Sequence, residues 1–130
     1  MAETNLNADY ETHTAAADLS ANIYNAVAFV ALGRVAVASG NLGHTYAGIL
    51  ANAPAAAGRA ASVVTQGRFK AVAGAAVASI GVPLTYNTSG RVIVAASASV
   101  VIGKALEAAS ADGDIISVDL NKPWRLGGAY

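Results

Sequence analysis

Apolar positions along this chain come in short runs, and almost every run is closed by glycine, asparagine or proline. "IYNAVAFVALGRVAVASG" offers two strands split at Gly33, and "HTYAGIL" a third. "NAPAAAG" reads as a turn, or a single helical turn, around Pro54. "RAASVVTQG" and "RFKAVAG" read as paired strands meeting at Gly67. "VPLTYNTSGRVIVAA" is strand, turn at Asn87 to Gly90, and strand again. "SVVIGKALEAAS", the dipeptide Asp112-Gly113 and "DIISVDL" follow, and Pro123 ends the series. Short strands at intervals of about 8 to 12 residues, punctuated by glycine, predict an all-β sandwich or barrel. No period of about 20 to 50 residues marks a solenoid. Alanine favours helix, so the competing reading places short helices at 51–62, 71–80 and 104–111. Glycine every few residues excludes long ones, and at most one or two short helices are expected.

Residues 104–120, "KALEAASADGDIISVDL", hold the sharpest conflict. Lys104 to Ala109 are helix formers. Ile115, Ile116 and Val118 are β-branched and favour a strand. Asp112-Gly113 is a hairpin turn signal, and a hairpin needs a strand on each side.

Residues 1–22 contrast with all this: they are polar, acidic and unpatterned, and read as an extended arm that orders on contact. Extended, the first twenty residues reach about 65 Å. The division expected is an arm at 1–22, a β domain at 23–122 and a tail at 123–130 anchored by Trp124. On this reading the arm is dispensable for folding.

The chain has 130 residues, 55% of them hydrophobic and 12% charged, with no cysteine. That suits one domain and removes disulfides, thiolate nucleophiles and cysteine metal clusters. Much of the apolar content is alanine. A buried alanine withdraws about one methyl from water, worth roughly 0.8 kcal/mol, against two to three times that for leucine or isoleucine. Alanine-faced sheets therefore gain little from their own core, and a neighbouring chain can approach them closely. The pattern favours a self-associating protein.

Net charge is +0, which gives no basis for nucleic-acid binding. The charge is unevenly placed: Glu3, Asp9, Glu11 and Asp18 precede Gly33, and every lysine and arginine lies from Arg34 onward. An acidic arm thus precedes a mildly basic body; the arm reads either as a solvated tail or as a segment lying on a basic surface of a partner or second copy. The uncharged run from Val35 to Gly58 is broken by Asn41, Gly43, His44, Asn52 and Pro54, so no membrane span is expected. The start, "MAETNLNADYE", lacks the basic n-region and apolar core of a secretory signal. A protein made for the cell interior, or for something assembled there, is the expectation.

Chemistry-bearing residues do not assemble. His13 lies among acids in the arm, which is a poor frame for a metal, and His44 reads as a loop residue. No nucleophile elbow, phosphate loop or dinucleotide fingerprint is present. Asp112 and Asp114 flank a turn glycine, and turn geometry accounts for both. Asn87-Thr88-Ser89 matches a glycosylation acceptor, a common chance match. Arg68, Lys70, Arg91 and Lys104 are scattered strand charges without interleaved aromatics. No catalytic, cofactor or metal residue is nominated, and an enzyme is not expected. The candidates are interface residues instead: Glu3, Asp9, Tyr10, Glu11 and Asp18 in the arm, then Tyr24, then Trp124, Arg125 and Tyr130 in the tail.

The order "GILANAPAAAGRAASVVTQGRFKAVAGAAV", "GVPLTYNTSGRVIVAA", "IGKALEAASADGDIISVDL" resembles the capsid cement, or head decoration, proteins of tailed bacteriophages. The match runs from about Gly48 to Leu120, and its strongest piece is Ile102 to Ala109. The resemblance implies a compact β domain of the kind called a β-tulip. It implies a place on the outer surface of the head, the major capsid protein as partner, and a homo-oligomer, trimer favoured over dimer. It also makes "KALEAAS" a strand leading into the Asp112-Gly113 hairpin, against its local propensity. The alternative role is a virion surface adaptor or fibre base that displays a host-binding element.

Overall fold

The computed structural model describes residues 8–38, 46–96 and 100–125, the last four by backbone alone. Among the described residues there are strands and turns and no helix. The strands are β1 (Asp9–Ala15), β2 (Ala26–Ala31), β3 (Arg34–Val37), β4 (Tyr46–Leu50), β5 (Ala60–Val72), β6 (Pro83–Tyr86), β7 (Val92–Val94), β8 (Val100–Ala105) and β9 (Ile115–Arg125). They run in the order β1-β3-β2-β4-β5-β9-β8-β6-β7, and β5 also pairs with β1. That extra pairing closes β1, β3, β2, β4 and β5 into a five-stranded barrel. The other four strands extend from it as a sheet, and the whole is the all-β, barrel-like architecture expected.

One strand belongs to both parts. The first half of β5, up to Gln66, lies against β1 and β4 in the barrel. Its second half, Gly67 to Val72, pairs with Leu120 to Ile115 of β9. The pair of strands expected to meet at Gly67 is therefore one bent strand of 13 residues. A hairpin leaves its turn residues outside the ladder, but Gly67 stays paired with Leu120. Its φ of 97° is the left-handed conformation that glycine adopts without strain, and it re-aims the strand.

Two cores follow from the alternation of side chains. Ala15, Leu19, Val27, Val35, Leu50, Ala61 and Val63 fill the barrel. Their neighbours Ala26, Ile49 and Val64 face outward and pack with Phe69, Leu84, Tyr86, Ile102, Ile116, Val118 and Leu120 of the sheet. Strands buried on both faces read as continuous apolar runs, which is why "YAGIL" shows no alternation. Tyr46 of the barrel stacks on Tyr86 of the sheet, ring centroids 5.5 Å apart. Burial pushes the Tyr46 hydroxyl's pKa far up, and Tyr86 beside it adds to the shift.

The arm is not free. Residues 9–15 form β1, which lies antiparallel to β5 from Asp9↔Gln66 to Thr14↔Ala60 and parallel to β3 at Thr14↔Arg34 and Ala15↔Val35. Ala15 and Leu19 are buried in the barrel core. Polar side chains hid this strand, because most of β1 is exposed and its ordering comes from backbone hydrogen bonds. Removal of residues 1–20 would take a stave from the barrel, so the arm is not dispensable as a whole. Residues 1–7 lie outside the described residues.

The expected domain edge at 122/123 is not a break either. β9 runs through Lys122, Pro123 and Trp124 to Arg125, with Trp124 opposite Val101 and Arg125 opposite Val100. Pro123 lies past Leu120, where β5 no longer flanks β9. A proline that offers no N–H is tolerated where a strand has one partner only.

Local propensity loses at residues 104–114. Lys104 and Ala105 finish β8, and the residues that follow are spent on distant partners. Leu106 N–H donates to Ser117 O at 2.9 Å, and Ala109 N–H to Val77 O at 3.0 Å. Donors used this way cannot build a helix. Asp112-Gly113 occupies the centre of a turn from Ala111 to Asp114, but Leu106 to Ser110 separate that turn from β8, so the strand expected over "KALEAAS" ends at Ala105 and does not lead directly into a hairpin. The windows 51–62 and 71–80 are likewise not helical. The Asn87 to Gly90 turn stands where expected, closed by Asn87 Oδ1, which accepts from Ser89 N and Arg91 N.

Two tests follow from this packing. Gly103 in β8 passes so close to β9 that an added Cβ would collide with Asp119 O, with Leu120 Cα 3.0 Å away. Gly103→Ala is expected to cost about 1 to 3 kcal/mol, read as a lower Tm; an unchanged Tm would show that β8 and β9 separate freely there. The Asp114 carboxylate accepts from Ser110 Oγ (2.9 Å), Ser110 N (2.8 Å) and Ala111 N (3.2 Å), which holds its pKa below the usual carboxylate value. A depressed folded-state pKa gives stability that is present above roughly pH 4 and lost as pH falls through the lowered value. Asp114→Asn should therefore flatten the acid side of the Tm-against-pH curve. Parallel curves for wild type and variant would contradict this.

Candidate functional site

The β2–β3 hairpin is where the barrel departs from ordinary surface composition. Val27 points into the barrel core, and Phe29, two residues on, shares its face at the barrel mouth. Beyond it the strand keeps apolar side chains as it leaves the body. Val30 is 59% exposed and Leu32, beside the turn glycine Gly33, is 102% exposed. Phe29 to Gly33 line an open hollow of about 560 Å³. Turns normally carry polar residues. A tip of Phe, Val, Ala, Leu and Gly is apolar surface with nothing covering it among the described residues.

The tip is firmly mounted. Thr14 N–H donates to Gly33 O at 2.8 Å, tying β1 to the turn. The His13 ring meets Phe29 edge-on, centroids 4.9 Å apart, and His13 Nε2 lies 3.0 Å from Glu11 Oε1. The odd positions of β1 thus serve the barrel mouth, and Tyr10 projects from the other face.

There Tyr10 meets a second group. Phe69 is packed edge-on by Tyr10, at 6.2 Å, and by Tyr24, at 5.7 Å. Lys70 Nζ stands 5.5 Å from the centre of the Tyr24 ring. Together with Asn52 and Ser62 these residues line a cleft of about 280 Å³. Tyr24 occupies the third position of the turn Asn22 to Asn25 with φ 69°, a place that suits glycine or asparagine. A bulky residue there costs roughly 1 to 2 kcal/mol. Hydrogen bonds hold it: Tyr24 N–H donates to Leu50 O, and Val72 N–H donates to Tyr24 O.

The candidate residues divide accordingly. Asp9, Tyr10 and Glu11 stand exposed on β1 between tip and cleft, and Tyr24 is in the cleft. Asp18 serves its own turn: its Oδ1 accepts from Ser20 Oγ at 2.7 Å and Ser20 N at 2.9 Å, which lowers its pKa. Trp124 and Arg125 are placed by backbone at the end of β9. Glu3 and Tyr130 lie outside the described residues. The four basic strand residues do not form one patch. Arg91 Nη1 pairs with Asp112 Oδ1 at 2.6 Å, Arg68 and Lys104 flank Asp119 in register, and Lys70 turns to the cleft. Phe29, Val30, Leu32, Phe69 and Lys70 are not among the candidates the sequence offers. The missed signal was "FVALG", an apolar run that continues into its turn.

Among the described residues no three His, Asp or Glu side chains gather as a metal site, and no helix is long and apolar enough to cross a membrane.

Comparison with known proteins agrees with this architecture. The N base of the head fibre protein gp8.5 of bacteriophage phi29 shares the fold, with a TM-score of 0.65, 19% identity, and coverage of 93% of this chain and 99% of that one. No curated protein sequence matches this chain significantly. A family model described as phage cement protein matches residues 10–120, from β1 through most of β9. A match over that much of a closed barrel and its attached sheet decides the assignment: the chain belongs to the phage cement protein family.

Proposed function

We propose that this phage structural protein binds the outer surface of the head and stabilises it by clamping neighbouring major capsid protein subunits, without catalysis. The observation that carries the reading is the apolar tip at Phe29 to Leu32, mounted on a closed barrel. Fully burying one large aliphatic or aromatic side chain is worth roughly 1.5 to 3 kcal/mol. Three such residues at one tip give each copy a contact of useful strength, and the closed barrel spends no edge in presenting them. The body is rigid where it meets the shell, so little ordering entropy opposes binding. A homo-oligomer, trimer favoured, repeats the contact and raises the overall affinity by about 10² to 10⁴ through effective concentration. The tip thereby takes the part that the sequence assigned to the arm. A chain made in the cytoplasm would meet the completed shell from outside.

A second reading, as a fibre base or adaptor, draws support from the fold shared with the N base of a phage head fibre. The two differ in what the virion carries: an adaptor must hold another chain, and cross-linking of intact virions would recover it.

Val30→Asp with Leu32→Asp tests the clamp. Both side chains are exposed, so the Tm should stay within about 0.5 kcal/mol equivalent of wild type. Affinity for heads should fall about tenfold or more, and protection of heads against heat should go with it. Full occupancy by the double variant would contradict the clamp.

A further inference from the structure

The cleft of Tyr10, Tyr24 and Phe69 is built unlike a surface crease. Tyr24 is held in a left-handed conformation, and its half-buried ring leaves one side on the cleft. Backbone strain maintained by surrounding structure is a feature of binding positions, and here that structure is two strands. The second observation is electrostatic. Lys70 on β5 is half-buried as a residue, and its ammonium stands over the Tyr24 ring with no carboxylate in salt-bridge range among the described residues. Nearby polar groups do not supply one. Asn52 is spent on the backbone, with Oδ1 accepting from Ser62 N and Nδ2 donating to Ala60 O, both at 3.0 Å. The cleft therefore offers aromatic walls and one uncompensated positive charge.

Size narrows the ligand. About 280 Å³ is just below the roughly 300 to 1,000 Å³ of pockets that enclose a whole small molecule. The cleft is scaled to one side chain and the chain that bears it. Apolar walls suit the methylenes of such a side chain, and the ammonium at one side suits a terminal carboxylate.

We infer that the Tyr10–Tyr24–Phe69 cleft is a receptor for a single acidic side chain, a glutamate above all, presented by an extended segment of a partner polypeptide and paired there with Lys70. The inference rests on the capsid-binding reading for the source of that segment, the major capsid protein. The cleft is then a second contact beside the apolar tip, and it supplies charge selectivity where the tip supplies area. Tyr10 joins the two, because β1 carries it on one face and the barrel-mouth residues Glu11 and His13 on the other.

The test uses the full chain and two probes, the peptide acetyl-Ala-Glu-Ala-amide and its glutamine counterpart, followed by NMR of the tyrosine rings and the Lys70 Cε. The glutamate peptide should shift the signals of Tyr10, Tyr24 and Lys70 saturably and bind about fivefold more tightly than the glutamine peptide. Lys70→Gln should abolish the difference and lower the Tm by no more than the loss of its contact with the Tyr24 ring. Equal binding of the two peptides, or no saturable shift of cleft signals, overturns the proposal. Saturable shifts from methyl glucuronide without any from the glutamate peptide would assign the cleft to a saccharide and overturn it too. On heads, wild type and Lys70→Gln separate this proposal from the reading it rests on. Failure of wild type to bind defeats the reading, whereas equal affinities of both proteins defeat the cleft.

Discussion

The structure depends on one bent strand. β5 closes the barrel against β1 and, past Gly67, becomes the first strand of the outer sheet. Neither core is large, and alanine supplies a good part of each. A barrel of five short strands around a few small side chains would be marginal alone, as would a four-stranded sheet with one bare face. Sharing β5 makes the outer face of one the inner partner of the other. Ile49 and Val64 look out of the barrel and are buried by the sheet, and the Tyr46–Tyr86 stack spans the same junction. The two units therefore fold as one body, and that rigidity lets a short hairpin carry an apolar tip away from it.

The sequence showed the strand class well because its signals were local. Gly33 splits β2 from β3, and the Asn87 to Gly90 turn joins β6 to β7, each where turn chemistry placed it. What it hid was long-range. Gly67 looks the same as a turn in sequence whether it ends a strand or bends it, and only the pairing with Leu120 decides. β1 was hidden for another reason: an edge-closing strand that buries little apolar surface carries polar residues and reads as an arm. Leu106 to Ala109 have helical propensity, but Ser117 and Val77, far along the chain, take the backbone groups a helix would need.

The candidate surface is legible in part for the same reason. Tyr10 and Tyr24 drew attention as aromatics near the chain's beginning, and the fold brings them together on Phe69. Lys70 looked like one of several scattered charges until its strand placed it over Tyr24. Apolar residues in a strand read as core, which conceals the hairpin tip in the sequence. On the proposed reading, a chain with few reactive groups uses its distinctive residues for contact. It has an apolar projection, an aromatic cleft with a cation, and a closed barrel that presents both.

The central claim is that the barrel's apolar tip faces the shell and bridges capsid subunits. Cryo-electron microscopy of decorated heads, at a resolution that traces β2 and β3, tests it most directly. The account predicts Phe29 to Leu32 buried at a junction between two capsid subunits, with strands β6 to β8 turned to solvent. A reconstruction with that tip in solvent, and the protein seated on the shell through β6 to β9, would contradict it.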